Sequence, residues 1–269
     1  MFRRHVALPG EHGAWVFLLR PLLIGLFAGG RWHTVSLYLV LAALCGFLIR
    51  HPITLAVKVH SGRRPRETLP AVRFWIAIYA TIGLAHVVGL VARGFGYLLY
   101  LAIPGVPVFV WHLWLVSRRA DRRQWFVELL GTGVLSLSAP AGLWVGLGQP
   151  DPIGWLLWAV VWAQSASAIA YTYLRLAQRV LDRSPGWSMR LRMGRTPLLV
   201  SLCVLAAVTG LGLAGALPAW LFLPYALQAA EVLWGASRPA IGLKPQAIGY
   251  RQLAISALFT LLFIITWRL

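Results

Sequence analysis

Along this chain, long apolar runs alternate with short polar stretches, and most of the polar stretches are basic. A run of about 20 apolar residues is long enough for a helix to cross a bilayer. The pattern predicts nine such helices, at 14–29, 34–57, 71–91, 96–116, 125–146, 153–182, 197–215, 218–236 and 252–267. The fold class that follows is all-α: a polytopic membrane protein with its helices in one bundle, a single integral membrane domain over residues 1–269. Prolines mark the weak points. Pro52 is expected to interrupt and kink the second span, and Pro104 and Pro107 to bend or break the fourth. Gly25 and Gly29 in the first span have the GxxxG spacing that lets helices approach closely.

Composition agrees. Hydrophobic residues make up 59% of the 269 and charged residues 12%. Soluble domains carry about 25% charged residues. The formal charge of +18 comes from 25 Lys and Arg against 7 Asp and Glu. In a soluble protein such a balance suggests nucleic acid. Here the basic clusters fall between apolar runs, so they read as cytoplasmic loops rather than a nucleic-acid surface. The N-terminus and the loops after the second, fourth, sixth and eighth spans share one side, and the opposite side has only Arg31, Arg93 and Arg268. The N-terminus is therefore expected in the cytoplasm and the C-terminus across the membrane. The Gly29-Gly30-Arg31 stretch is not a small-x-small cleavage site, so the first run is expected to remain as an uncleaved span. Cys45 and Cys203 sit inside apolar runs with neither disulfide nor metal-ligand spacing.

Ionisable groups inside or at the mouth of apolar runs are the candidate chemistry. Glu11 and His12 open the first span, as an acid/base pair, an anchor for a polar group, or simple stabilisation of a helix N-terminus. Arg20 lies one or two turns farther in and is expected to be buried against a carboxylate, with Glu11, Glu128 or Glu231 in reach, or else to snorkel. Arg50, His51 and Lys58 flank Pro52 at the same side. Tyr171, Arg175, Gln178, Arg179 and Asp182 recur at steps of three and four, one face of the sixth helix. That stripe is either a helix end emerging into water or one wall of a polar cavity. With Glu231 of the eighth span, these residues suggest a cytoplasm-facing cavity where the ends of the first, second, sixth and eighth spans converge. Arg and Lys suit an anionic head group on an apolar tail. No nucleophile triad, Walker loop, HExxH or Cys cluster is present, so catalytic residues stay unassigned and no metal site is expected.

The stretch Pro9-Gly10-Glu11-His12-Gly13-Ala14-Trp15, followed by Arg20-Pro21-Leu22-Leu23-Ile24-Gly25, resembles the opening of the YwiC-like family of bacterial membrane proteins. That likeness implies a multi-pass protein of the bacterial cytoplasmic membrane and brings no assigned activity. A looser likeness is to the UbiA superfamily of intramembrane prenyltransferases, which have nine helices and active-site loops after helices 2, 4, 6 and 8. Their second motif, roughly D-T-x-Y-A-x-x-D-x-x-D-D, is matched by Tyr171-Thr172 at its opening, Gln178 at the middle acid and Asp182 at the last. Their first, N-D-x-x-D-x-x-x-D, corresponds to the stretch from Arg50-His51-Pro52-Ile53-Thr54 to Lys58, which has no carboxylate. Prenyl transfer uses those carboxylates to hold Mg²⁺ on the leaving diphosphate, so Mg²⁺ is not expected here. Two functions follow. One is a UbiA-like scaffold binding, or transferring, an anionic isoprenoid or membrane lipid directly through Arg and Lys. The other is a non-enzymatic permease or accessory subunit of a membrane complex.

Overall fold

In lipid a backbone has no water to satisfy its N–H and C=O groups, and a helix pairs them internally. A computed structural model describes residues 4–9, 12–119 and 125–269, with the backbone alone for Arg4 and His12. Every regular element among the described residues is helical. In chain order they are α1 (Arg4–Ala7), α2 (His12–Ala28), α3 (Thr34–His60), α4 (Leu69–Ala92), α5 (Leu99–Ala102), α6 (Gly105–Ser117), α7 (Trp125–Ser136), α8 (Ser138–Leu147), α9 (Ile153–Gln178), α10 (Trp187–Leu213), α11 (Phe222–Ser237) and α12 (Pro245–Trp267). Among the described residues, seven segments are long and apolar enough to cross a membrane: 34–60, 66–92, 96–117, 125–147, 153–178, 187–213 and 245–267. The two other expected spans are helical but shorter, 17 residues for α2 and 16 for α11. Leu84, Val88, Val110, Leu199, Leu261 and Ile265 stand exposed on the long segments. Apolar surface of that extent belongs against lipid.

The prolines act unequally. α3 runs unbroken through Pro52 to His60, where an interruption was expected. Pro52 has no N–H to offer the carbonyl of Leu48, but the helix resumes at once, and Thr54 Oγ1 donates to the Arg50 carbonyl at 2.8 Å. Pro104 does break its span, at the turn between α5 and α6. Pro140 divides the next: it leaves the Ser136 carbonyl without its helical donor, and the turn tightens to Leu137 N–H on Val134 O at 3.1 Å.

Several helix ends depart from the expected boundaries, three of them at the edge of the second-unit site. α9 stops at Gln178 rather than 182, and the chain turns off at Arg179. α10 begins at Trp187, ten residues before the expected 197. Arginine is a good helix former, so Arg190, Arg192 and Arg195 extend the span instead of forming a loop. α12 begins at Pro245, not 252, with proline in the first turn, where its missing N–H costs nothing.

The chain forms two compact units, residues 1–154 and 155–269. In the first, α3 and α4 pack as a hairpin, and α1 is seated on both. Val6 is buried among Leu55, Ala71 and Val72. Tyr79 OH donates to the Ala7 carbonyl at 3.0 Å, and His51 Nε2 donates to the His5 carbonyl at 3.2 Å. Tyr79→Phe is expected to cost about 1 kcal/mol and to speed cleavage near Ala7 in limited proteolysis; an unchanged rate would contradict that anchoring role.

α2 lies against α8 at backbone distance. A Cβ at Gly29 would sit 2.9 Å from Gly146 Cα, and one at Gly142 would sit 2.6 Å from Leu26 N. Gly25, Gly29, Gly142 and Gly146 thus form a seam of small residues, the GxxxG contact anticipated for Gly25 and Gly29, now with its partner known.

In the second unit, α10, α11 and α12 pack in antiparallel succession. Tyr225 of α11 meets Phe259 of α12 edge to face, with ring centroids 5.1 Å apart. Tyr171 and Leu174 of α9 are buried with Val232 and Ala236 of α11.

Candidate functional site

The strongest assembly of polar groups lies in the second unit, where α9, α11 and α12 bring together residues from distant parts of the chain. Glu231 is its centre, with a side chain 4% exposed. Its Oε1 accepts from Tyr171 OH at 2.8 Å and from Arg251 Nε at 2.7 Å, and its Oε2 accepts from Arg251 Nη2 at 2.6 Å. The Arg251 fork on the carboxylate is bidentate, the strongest geometry for such a pair. The same guanidinium lies over the Trp234 ring, 3.5 Å from its centroid, while its side chain stays 42% exposed. Glu231 and Arg251 each lie six residues inside their helix ends, roughly 9 Å at 1.5 Å per residue.

One turn nearer the helix ends, the stripe on α9 performs a different task. Arg175 Nη1 donates to Gln178 Oε1 at 2.9 Å, to the Gly235 carbonyl at 3.0 Å and to the Arg238 carbonyl at 2.6 Å. Gln178 Nε2 also donates to Gly235 O at 3.0 Å, and Gln178 Oε1 accepts the Ala240 N–H at 3.3 Å. Arg190 Nη1 reaches the Ser237 carbonyl at 2.9 Å. The last carbonyls of a helix have no intrahelical donor and carry partial negative charge, so two guanidinium groups there are both caps and counter-charges. Arg175→Met is expected to cost about 2 kcal/mol through those orphaned carbonyls. Thermal unfolding of the purified variant tests this, and an unshifted midpoint would count against the capping role.

Tyr171 needs Gly235. A Cβ there would fall on the phenol ring, 2.6 Å from its Cζ. Gly235→Ala is therefore expected to displace the hydroxyl from Glu231.

The other expected site residues are placed as follows. Arg179 is half-buried just past α9, and its carbonyl accepts the Gly242 N–H at 3.2 Å. Asp182 is exposed beyond the helix end. In the first unit, Glu11 and the His12 side chain lie outside the described residues. Arg20 is buried on α2, 3% exposed, with its guanidinium carbon 5.8 Å from the Phe17 ring centroid. Arg50 is half-buried over the Phe47 ring at 5.2 Å, and His51 and Lys58 are half-buried on the same helix. Arg251, Trp234 and Arg190 were not among the expected residues. Two signals pointed to Arg251: Pro245 as a helix start, and the need of Glu231 for a counter-ion. Among the described residues, no three His, Cys, Asp or Glu side chains cluster closely enough to hold a metal ion.

Comparison with known proteins places the first part of the chain. Residues 8–143 match the family model described as YwiC-like protein. The chain is 28% identical over 152 residues to the Bacillus subtilis (strain 168) protein described as uncharacterized protein YwiC. That alignment covers 56% of this chain and 59% of the relative's length. No solved structure matches. The family match takes in buried Arg20, Gly25, Gly29 and Gly142 of the glycine seam and the basic end of α3, and it extends over half of the residues: this multi-helix membrane protein belongs to the YwiC-like family.

Proposed function

We propose that this protein binds the anionic head group of an isoprenoid or other membrane lipid at the basic helix ends of the bacterial cytoplasmic membrane. In this reading the N-terminus is cytoplasmic and the C-terminus lies on the opposite side. The observation that carries it is the charge balance of the second-unit cluster. One carboxylate, Glu231, stands among the held guanidinium groups of Arg175, Arg190 and Arg251. The Arg251 side chain is part-exposed over Trp234. A guanidinium already fixed in position loses little entropy on taking a phosphate oxygen. With arginine as the ligand, binding needs no Mg²⁺. Whether prenyl transfer follows is a question for the same preparation.

Native mass spectrometry of the purified protein with prenyl diphosphates and anionic phospholipids, with and without EDTA, tests the proposal. The expected result is an adduct that survives EDTA and weakens about tenfold or more in Arg251→Gln. Arg50→Ala reads the first unit's part. No adduct across the panel, or adducts indifferent to both substitutions, would overturn the proposal.

A second reading, a permease or accessory subunit, is favoured by one observation: Gln164, Ser167, Gln228 and Glu231 are buried polar residues in membrane helices. Solute flux into proteoliposomes, or a stoichiometric co-purifying protein, would support it over lipid binding.

A further inference from the structure

Deeper in the second unit, away from the arginines, lies a level of buried polar groups with bonds left over. Gln164 Nε2 of α9 donates to Gln228 Oε1 of α11 at 3.2 Å. Gln164 Oε1 and Gln228 Nε2, one acceptor and one donor, have no partner among the described residues. The hydroxyls of Ser167, Ser201 and Ser256 are likewise buried without a partner. Helical hydroxyls in apolar surroundings ordinarily bond back to the carbonyl four residues earlier. Here Ser165, Thr172, Thr209 and Thr260 do so, at 3.1, 2.8, 2.8 and 2.7 Å. Ser167, Ser201 and Ser256 do not.

Register brings these groups to one depth. Gly194 of α10 packs on Ala236 of α11, and Arg251 of α12 pairs with Glu231. The helices are antiparallel, so Ser201 and Ser256 fall within about one turn of Gln228. Ser167 is one turn from Gln164 on α9. Four helices thus contribute polar atoms at one level. The charged residue nearest in the sequence of these helices, Glu231, lies one turn from Gln228 and is already engaged by Arg251 and Tyr171.

We propose that this level is a binding site for a small uncharged group that both donates and accepts hydrogen bonds: an O–H, from ordered water or from the hydroxyl of an amphiphile. The amide pair offers one acceptor beside one donor, which a single O–H group satisfies at once. A charged ligand would face an unpaired desolvation cost there. This site stands apart from the head-group proposal, because it uses none of the arginines.

The test is a structure of the full chain in lipid nanodiscs at a resolution that shows ordered water. Non-protein density within hydrogen-bond distance of Gln164 Oε1 and Gln228 Nε2 is expected. An isolated compact feature identifies water, and one continuous with an acyl or prenyl tail identifies an amphiphile hydroxyl. Well-ordered glutamines without such density would overturn the proposal. The thermal midpoint of the Ser201→Ala, Ser256→Ala double variant gives an independent reading. A fall of about 3 °C or more is expected if the hydroxyls are ligated. An unchanged or raised midpoint would overturn the proposal, because removing an unsatisfied buried hydroxyl stabilises.

Discussion

A leucine at Gly25 is expected to leave little folded protein. Even a methyl group there would meet the backbone of Ala139, 2.8 Å from both its carbonyl carbon and its Cα. Backbone cannot swing aside as a flexible side chain can, so α2 and α8 would have to separate along the whole seam. Overpacking in tight cores costs about 1–3 kcal/mol per site. A larger side chain at a backbone contact belongs at or above the upper end, and the neighbouring close approaches at Gly29, Gly142 and Gly146 would be lost with it. Gly13→Ala is the matched control: nothing lies within 4 Å of a Cβ at that position, and its stability should be unchanged. Size-exclusion profiles and thermal midpoints of the two variants decide the matter. A stable, monodisperse Gly25→Leu would refute the seam.

Removing the Glu231 carboxylate should have an effect of similar size by a different route. Glu231→Leu strands the Arg251 guanidinium and the Tyr171 hydroxyl, both of which lose their acceptor. Breaking a buried ion pair from one side costs about 3–5 kcal/mol; the exposure of Arg251 argues for the lower figure. The second half of the prediction is the rescue. Glu231→Leu with Arg251→Met removes both charges and should recover much of the loss, because paired apolar replacements leave no charge uncompensated. A double-mutant cycle from denaturant unfolding measures the coupling. Equal destabilisation by the double and the single variant would mean that the pair is not the source of the effect.

The membrane class and the positions of the helices were legible in the sequence, because transfer into lipid sums over the residues of one run and needs no knowledge of neighbours. Much of the candidate site was legible for a related reason. Tyr171, Arg175 and Gln178 follow a helical period, and that period identifies a shared face whatever the face meets. Glu231 stood out as a carboxylate in an apolar run. Arg251 did not, because the stretch before it reads as a basic loop until Pro245 is recognised as the first turn of a helix. Arg190 was obscured in the same way by the early start of α10.

The role of Arg175 shows where such reading stops. Its type and depth suggest a ligand for an anion, yet its Nη1 donates to carbonyls at the end of a helix some 60 residues later in the chain, Gly235 and Arg238. Sequence alone determined that this protein is a set of apolar helices with basic ends, since hydropathy and charge are properties of each run by itself. Tertiary structure alone decided that Glu231 pairs with Arg251, that the glycines of α2 meet those of α8, and that the Gln164–Gln228 amides share one level with three serines. Those pairings depend on crossing angle and register between helices, and a few ångströms of either would choose different partners from the same side chains.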